Sequence, residues 1–237
     1  MAKKPKWHTR WKVLPHEPLK RLEDNLWVVD GPIPGMPIDR RMAIIRLADG
    51  RLVIHNGIAV DDATIAAIEA LGELTFLVVP NGFHRIDAFA YKQRYPQLRV
   101  IAAPNAAKKV AEAVAIDGGP ELLPADSGLR GELIEGDKIG EIAFTIEHGA
   151  TKTLLLNDAL FNTPHKPGFK GFVMRAIGST GGLKMSRIMR IFGAADGNAF
   201  RAHVVRLAEQ PGVSRLIVSH GDIIEGDIAA RVRTALA

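Results

Sequence analysis

The order in which apolar runs arrive constrains this chain most. "LWVVDG", "MAIIRL" and "RLVIHNG" follow one another with only Gly, Pro and Asp punctuation between them. Short β-branched runs spaced this way predict consecutive strands, with "PIPGMP" a loop rather than a tight turn. The pattern then changes. "DDATIAAIEALG" has an acidic start, apolar residues at helical spacing and a Gly stop, which predicts a helix. "LTFLVVP" is a continuous apolar run closed by Pro80, the pattern of a strand covered on both faces. A helix from about Asp87 to Tyr95, a strand "LRVIAAP" and a helix "NAAKKVAEAVA" opened by Asn105 come next.

The second half repeats this order. "ELIEGD", "EIAFTIEHG" and "TKTLLLND" read as strands without a helix between them. A basic, Gly-containing segment and two helices lead to the strand "SRLIVSHGD", and "DIAARVRTALA" reads as a closing helix. A β-rich stretch followed by αβ units, twice over, predicts an α/β layered fold, a four-layer αββα sandwich. A doubly wound parallel sheet competes, but strands that arrive without intervening helices argue against it. With 237 residues the chain can bury a sizeable core in one domain. That domain is expected over residues 22–237, behind a basic tail at residues 1–21.

There is no cysteine, which excludes disulfides, thiolate catalysis and cysteine-held zinc or iron–sulfur centres. Any metal has to be held by His, Asp or Glu. The N-terminus lacks the apolar core of a secretory signal and no run reaches membrane-spanning length, so the expected location is cytoplasmic. The net charge of +5 is uneven. Lys3, Lys4, Lys6, Arg10 and Lys12 crowd the start, and Asn162 to Ala195 holds six basic residues and no acid. A positive surface attracts nucleic acid, anionic lipid or an anionic substrate. Nucleic acid is disfavoured by the lack of interleaved aromatic residues.

Polar residues at predicted strand ends are the candidates for chemistry: His55, Asn81, His84, Asp87, His148, Asn157, Asp158, His220 and Asp222. A strand aims a side chain while the loop after it leaves the group accessible. "GFHRID", "LLLNDALFN" and "LIVSHGD" each follow an apolar run, giving the order His, Asp, His-Gly. Imidazole and carboxylate from separate strand ends can hold a divalent ion without thiolates. Asp87 reads more simply as a helix cap. His55 reads as a satisfied loop histidine, and His8, His16, His165 and His203 have no supporting context.

The blocks "LWVVDG", "RMAIIRLADGRLVIHNGI", "ALGELTFLVVPNGFHRIDAFAYKQRYPQLRVIAAP", "ATKTLLLNDALFN" and "LIVSHGD" resemble the metallo-β-lactamase-fold superfamily, and within it an uncharacterised branch. The likeness covers roughly Leu22 to Ile224. It implies an αββα sandwich with metal ligands at strand ends. Hydrolases of that superfamily carry H-x-H-x-D-H after the "LTFLVVP" strand. Laying its last histidine on His84 puts Val79, Asn81 and Phe83 where the other ligands would be, so the motif is degenerate here. Asp158 matches the metal-bridging aspartate and His220 the histidine of the last motif. His148 lies near the third-motif histidine. The resemblance therefore implies at most one divalent ion, zinc, iron or manganese, on His84, Asp158 and His220, with His148, Asp87 and Asp222 as secondary candidates.

Three functional readings result. The first is a metallo-hydrolase-like protein acting on a small, anionic substrate through His84, Asp158 and His220. The second is a non-catalytic binding or regulatory module without metal. The third is a basic-surface binder of nucleic acid or anionic membrane. In the segment "HKPGFKGFVMRAIGSTGGLKMSRIMR", the glycines and methionines suit a lid over the site. Met185, Ile188 and Met189 also fall at helical spacing, as core contacts do.

Overall fold

The computed structural model describes residues 5–187 and 189–237. Contacts divide the chain into two compact units, residues 1–31 with 41–127 and residues 32–40 with 128–237. Lys3, Lys4 and Ile188 lie outside the described residues.

One six-stranded sheet runs in sequence order: β1 (Lys20–Glu23), β2 (Leu26–Pro32), β3 (Asp39–Arg46), β4 (Arg51–His55), β5 (Glu73–Val78) and β6 (Arg99–Ile101). Where no helix intervenes the neighbours β1–β2 and β3–β4 are antiparallel. Where α1 (Asp62–Glu69) and α2 (Ala88–Arg94) intervene, β4–β5 and β5–β6 are parallel. A hairpin reverses the chain, whereas a helical crossover returns it in the same direction. α1 starts where the acidic residues predict, with the Asp61 carboxylate accepting the Thr64 N–H at 2.7 Å. α3 (Pro104–Val110) begins one residue before the expected Asn105, because a proline at the first position needs no N–H partner. Leu52, Ile54, Leu77, Val79, Tyr91 and Val100 belong to the core of this unit.

The N-terminal segment, expected as a loose tail, is seated on this unit from Trp7 onward. The Trp11 indole N–H donates to the Val60 carbonyl at 2.8 Å, and its ring lies 4.8 Å from that of Tyr91. The Arg85 and Arg94 guanidinium groups lie over Trp7 and Trp11.

The second sheet has the order β11-β10-β9-β8-β7: β7 (Leu129–Leu133), β8 (Ile142–His148), β9 (Thr151–Leu155), β10 (Val213–Ile217) and β11 (Ile224–Glu225). β7 sits earlier than the expected "ELIEGD", since its partner in the ladder, Leu133 to Ile142, fixes where pairing stops. β7–β8 and β8–β9 are antiparallel, whereas β9–β10 is parallel across α4 (Gly168–Ala176) and α5 (Gly197–Ala208). α6 (Ile228–Leu236) closes the chain. The core here gathers Leu154, Leu156, Phe200, Val204, Leu216 and Val232. Met185 and Met189 are in it, as helical spacing predicts for core contacts.

Candidate metal centre

Parallel pairing decides which residues share an edge. In the second sheet Leu155 of β9 pairs with Ile217 of β10, and Asp158 and His220 each follow three residues later. Both therefore leave the same edge. His220 Nε2 lies 3.1 Å from Asp158 Oδ1, with both side chains buried. The His220 ring is fixed on two sides. Its Nδ1 lies 2.7 Å from the Asp39 carbonyl oxygen, and Phe161 stacks on its face at 4.9 Å between centroids and 20° between planes. A carbonyl only accepts, so Nδ1 carries the proton, and Nε2 faces the carboxylate. That arrangement, N–H to a carbonyl and the other nitrogen towards the site, is how proteins orient a metal-binding imidazole. Gly221 makes the sharp turn after it, at φ +101°, where a Cβ would meet the Asn162 carbonyl oxygen at 2.1 Å.

Glu141 carries no distinguishing signal in the sequence. It immediately precedes β8, which runs antiparallel to β9, so it lies at the edge that carries Asp158. Its carboxylate is 1% exposed and accepts the backbone N–H groups of Asn157, Asp158 and Ala159 at 2.6, 2.8 and 2.9 Å. One side chain thus gathers three N–H groups of the turn that bears Asp158. Burial, then the charge of Asp158, pushes the Glu141 carboxyl up to about 8, against the pull of the backbone N–H groups towards ionisation. Asn157 is fully buried, and its side-chain amide makes no hydrogen bond among the described residues.

His84 belongs to the first unit, after β5. The "VVPNGFH" stretch forms a tight turn in which the Asn81 side-chain oxygen accepts the Phe83 N–H at 2.8 Å and the His84 N–H at 3.3 Å. His84 Nδ1 lies 3.1 Å from Asn56 Oδ1, and Asn56 Nδ2 donates to the Arg41 carbonyl at 2.8 Å. That donation identifies Oδ1 as the Asn56 acceptor, so His84 Nδ1 is the donor in this contact. Asn56 holds this place in the left-handed region at φ 57°, where Asn is tolerated. His55, beside it, is buried, and burial followed by the neighbouring His84 lowers its pKa to about 3. Val79 is in the core, Asn81 shapes the turn and Phe83 is exposed, so none of the three positions presents an imidazole or a carboxylate.

The secondary candidates make other contacts or face solvent. His148 ends β8 beside the hairpin turn, paired with Thr151, at the opposite end of the β8–β9 ladder from Glu141 and Asp158. Its Nε2 is hydrogen-bonded to Thr153 Oγ1 at 2.9 Å. Asp87 occupies the cap position of α2 but makes no capping bond with its side chain. Instead it binds His8 Nδ1 at 2.7 Å and accepts the Ala59 N–H at 3.3 Å, tying the N-terminal segment down. Asp222 is exposed. His16 and His203 also have partners, the Asp61 N–H for His16 and a cluster of Glu132, Glu135 and Arg206 for His203.

No family model matches the sequence, and a comparison with curated proteins finds no match. Solved structures do match. A metallo-β-lactamase from Pontibacter korlensis superposes with a TM-score of 0.60 at 12% identity, covering 94% of this chain and 99% of that one. The DIM-1 metallo-β-lactamase exposed to ceftazidime gives 0.63 at 11%, covering 95% and 98%. FIM-1 from Pseudomonas aeruginosa, in its mono-zinc form, gives 0.59 at 12%, covering 95% and 98%. The chain has the metallo-β-lactamase fold, in a divergent sequence.

Proposed function

We propose that this metallo-β-lactamase-fold chain is a hydrolase-like protein in which His84, Asp158 and His220 hold one divalent ion. Two imidazoles and a carboxylate are a donor set able to do so. The observation that carries the reading is the commitment of Nδ1 in both histidines, to Asp39 O in one and Asn56 Oδ1 in the other, so that each presents Nε2. A zinc-form neighbour of the same fold, FIM-1 with a single zinc, is consistent with a mononuclear site.

A divalent ion held by His84, Asp158 and His220 would supply Lewis-acid activation of water for hydrolysis. The chain's own residues prepare this. Asp39 and Phe161 fix the His220 ring, Asn56 and Asn81 fix His84, and Glu141 holds the Asp158 turn. Imidazole and carboxylate bind a cation only in their deprotonated forms, so affinity should rise with pH. A small substrate, anionic in view of the net charge of +5, fits this reading.

The test is metal content per chain by elemental analysis of tag-free protein purified without chelators, for the native chain, His84→Ala and His220→Ala. One ion in the native chain, lost in His220→Ala together with any hydrolysis of esters, lactones or phosphoesters, is the expected result. Full activity in His220→Ala would sink the mechanism. A second reading, a binding module without metal, is favoured by Val79, Asn81 and Phe83, which supply no ligand. No metal in a folded native chain after zinc, iron and manganese are offered would decide for it.

A further inference from the structure

α4 presents the wrong residues to water. Its Gly171 and Met174 are buried, while Phe169, Phe172 and Val173, at helical spacing i, i+3 and i+4, are 81%, 64% and 40% exposed. Gly171 approaches the Lys166 carbonyl so closely that a Cβ there would lie 2.0 Å from the oxygen, which fixes which face turns inward. In the same unit the turn Met189–Gly193 buries Met189 and exposes Ile191 and Phe192 at 66% and 67%. Arg187 ties the two elements together: its backbone N–H donates to Ile177 O at 3.0 Å and its guanidinium to Ala176 O at 2.9 Å. Lys170 Nζ donates to Gly35 O at 3.4 Å, which brings the half-exposed Met36 beside the helix.

Charge decides what such a surface meets. Residues 162–195 carry Lys166, Lys170, Arg175, Lys184, Arg187 and Arg190 without one acidic residue. Two copies of this face would repel each other, so self-association is disfavoured. Exposed phenylalanines among basic residues also suit nucleic acid, but Val173, Ile191 and Met36 have no ring to stack on a base. Exposed aromatic and aliphatic side chains interspersed with the exposed cations Lys170, Arg175, Arg187 and Arg190 are the composition of a helix lying in the headgroup region of an anionic bilayer. No described helix is long and apolar enough to cross a membrane, so contact of this kind would be peripheral.

We propose that α4 and the Met189–Gly193 turn dock this protein on an anionic phospholipid surface, with Phe169, Phe172, Ile191 and Phe192 entering the interface and the basic residues pairing with headgroups. This does not rest on the metal centre. The full chain is floated with phosphatidylglycerol vesicles and with phosphatidylcholine vesicles over a range of salt, and titrated in parallel with labelled single-stranded and duplex oligonucleotides. Flotation with phosphatidylglycerol alone, weakening with salt, is expected. Phe169→Ser with Phe172→Ser should lower partitioning at least about tenfold, since each buried phenylalanine is worth more than a decade. Lys170→Glu with Arg190→Glu should do the same by charge. Both variants should melt as the native chain does and retain its metal content. Absence of flotation at low salt, flotation unchanged in both variants, or oligonucleotide binding lost in both variants without any vesicle binding would each overturn the proposal.

Discussion

Replacing Glu141 by Ala tests how the turn that carries Asp158 is held. The carboxylate accepts three backbone N–H groups in a site 1% exposed to solvent. Leaving a buried donor without an acceptor costs about 1–3 kcal/mol. Water entering the space of the lost side chain can satisfy one or two of them. Removing a carboxyl whose own ionisation is opposed by burial returns part of the cost. The net expectation is a loss of about 3 kcal/mol, which for a chain of this size lowers the melting temperature by about 6–12 °C. Glu141→Gln keeps one acceptor oxygen but turns an NH₂ towards the remaining donors, and should cost roughly half as much. Thermal and guanidinium denaturation followed by circular dichroism measure both. Because the same turn aims Asp158, zinc affinity measured by competition with a chromophoric chelator should fall about tenfold or more. A Glu141→Ala protein melting within about 2 °C of the native chain would refute the reasoning, because three stranded N–H groups cannot cost so little.

His55 sets an acid limit on stability. Its pKa is about 3 in the folded chain against 6.5 ordinarily, so between those values the unfolded chain binds more protons and stability rises with pH; the full gap is worth up to about 5 kcal/mol. His55→Leu should flatten denaturation midpoints between pH 4 and 6, and an unchanged slope there would count against it. Gly221→Ala places a Cβ at φ +101° against the Asn162 carbonyl, and a loss of about 2 kcal/mol or more with weakened metal binding is expected by denaturation and elemental analysis. Trp11→Ala removes the indole bond to Val60 and the contacts with Tyr91 and Tyr95, for a loss of about 2 kcal/mol, whereas a loose tail would lose nothing.

Periodicity carried the fold because each helix-separated strand had to be parallel to its predecessor and each hairpin antiparallel. Signals failed where burial was absent. β1, "KRLE", has no apolar alternation and is placed by backbone pairing of Lys20 with Val28 and Arg21 with Trp27. The N-terminal segment read as a tail because its lysines and arginines dominate the composition, yet Trp7 and Trp11 were the informative residues. Their partners Arg85, Arg94 and Tyr91 lie some eighty residues away, beyond any local pattern.

The candidate site was legible to the extent that strand direction was. Asp158 and His220 sit three residues beyond paired positions of parallel strands, so any correct reading of β9 and β10 brings them to one edge. His148 fails for the same reason. It ends a strand antiparallel to β9, and the end of such a strand meets the start of its neighbour, so a histidine there faces the hairpin turn rather than Asp158. The residue that profits from the reversal is Glu141, which stands before β8 and therefore arrives where β9 finishes. In the sequence it is one glutamate among several ahead of an apolar run, a pattern that ordinarily marks a solvated strand start. Only the register, Phe144 on Leu155, turns it into the group that holds Asp158. Strand ends are therefore informative about chemistry after the direction of each strand is assigned, and beginnings of antiparallel strands belong to the search as much as ends of parallel ones.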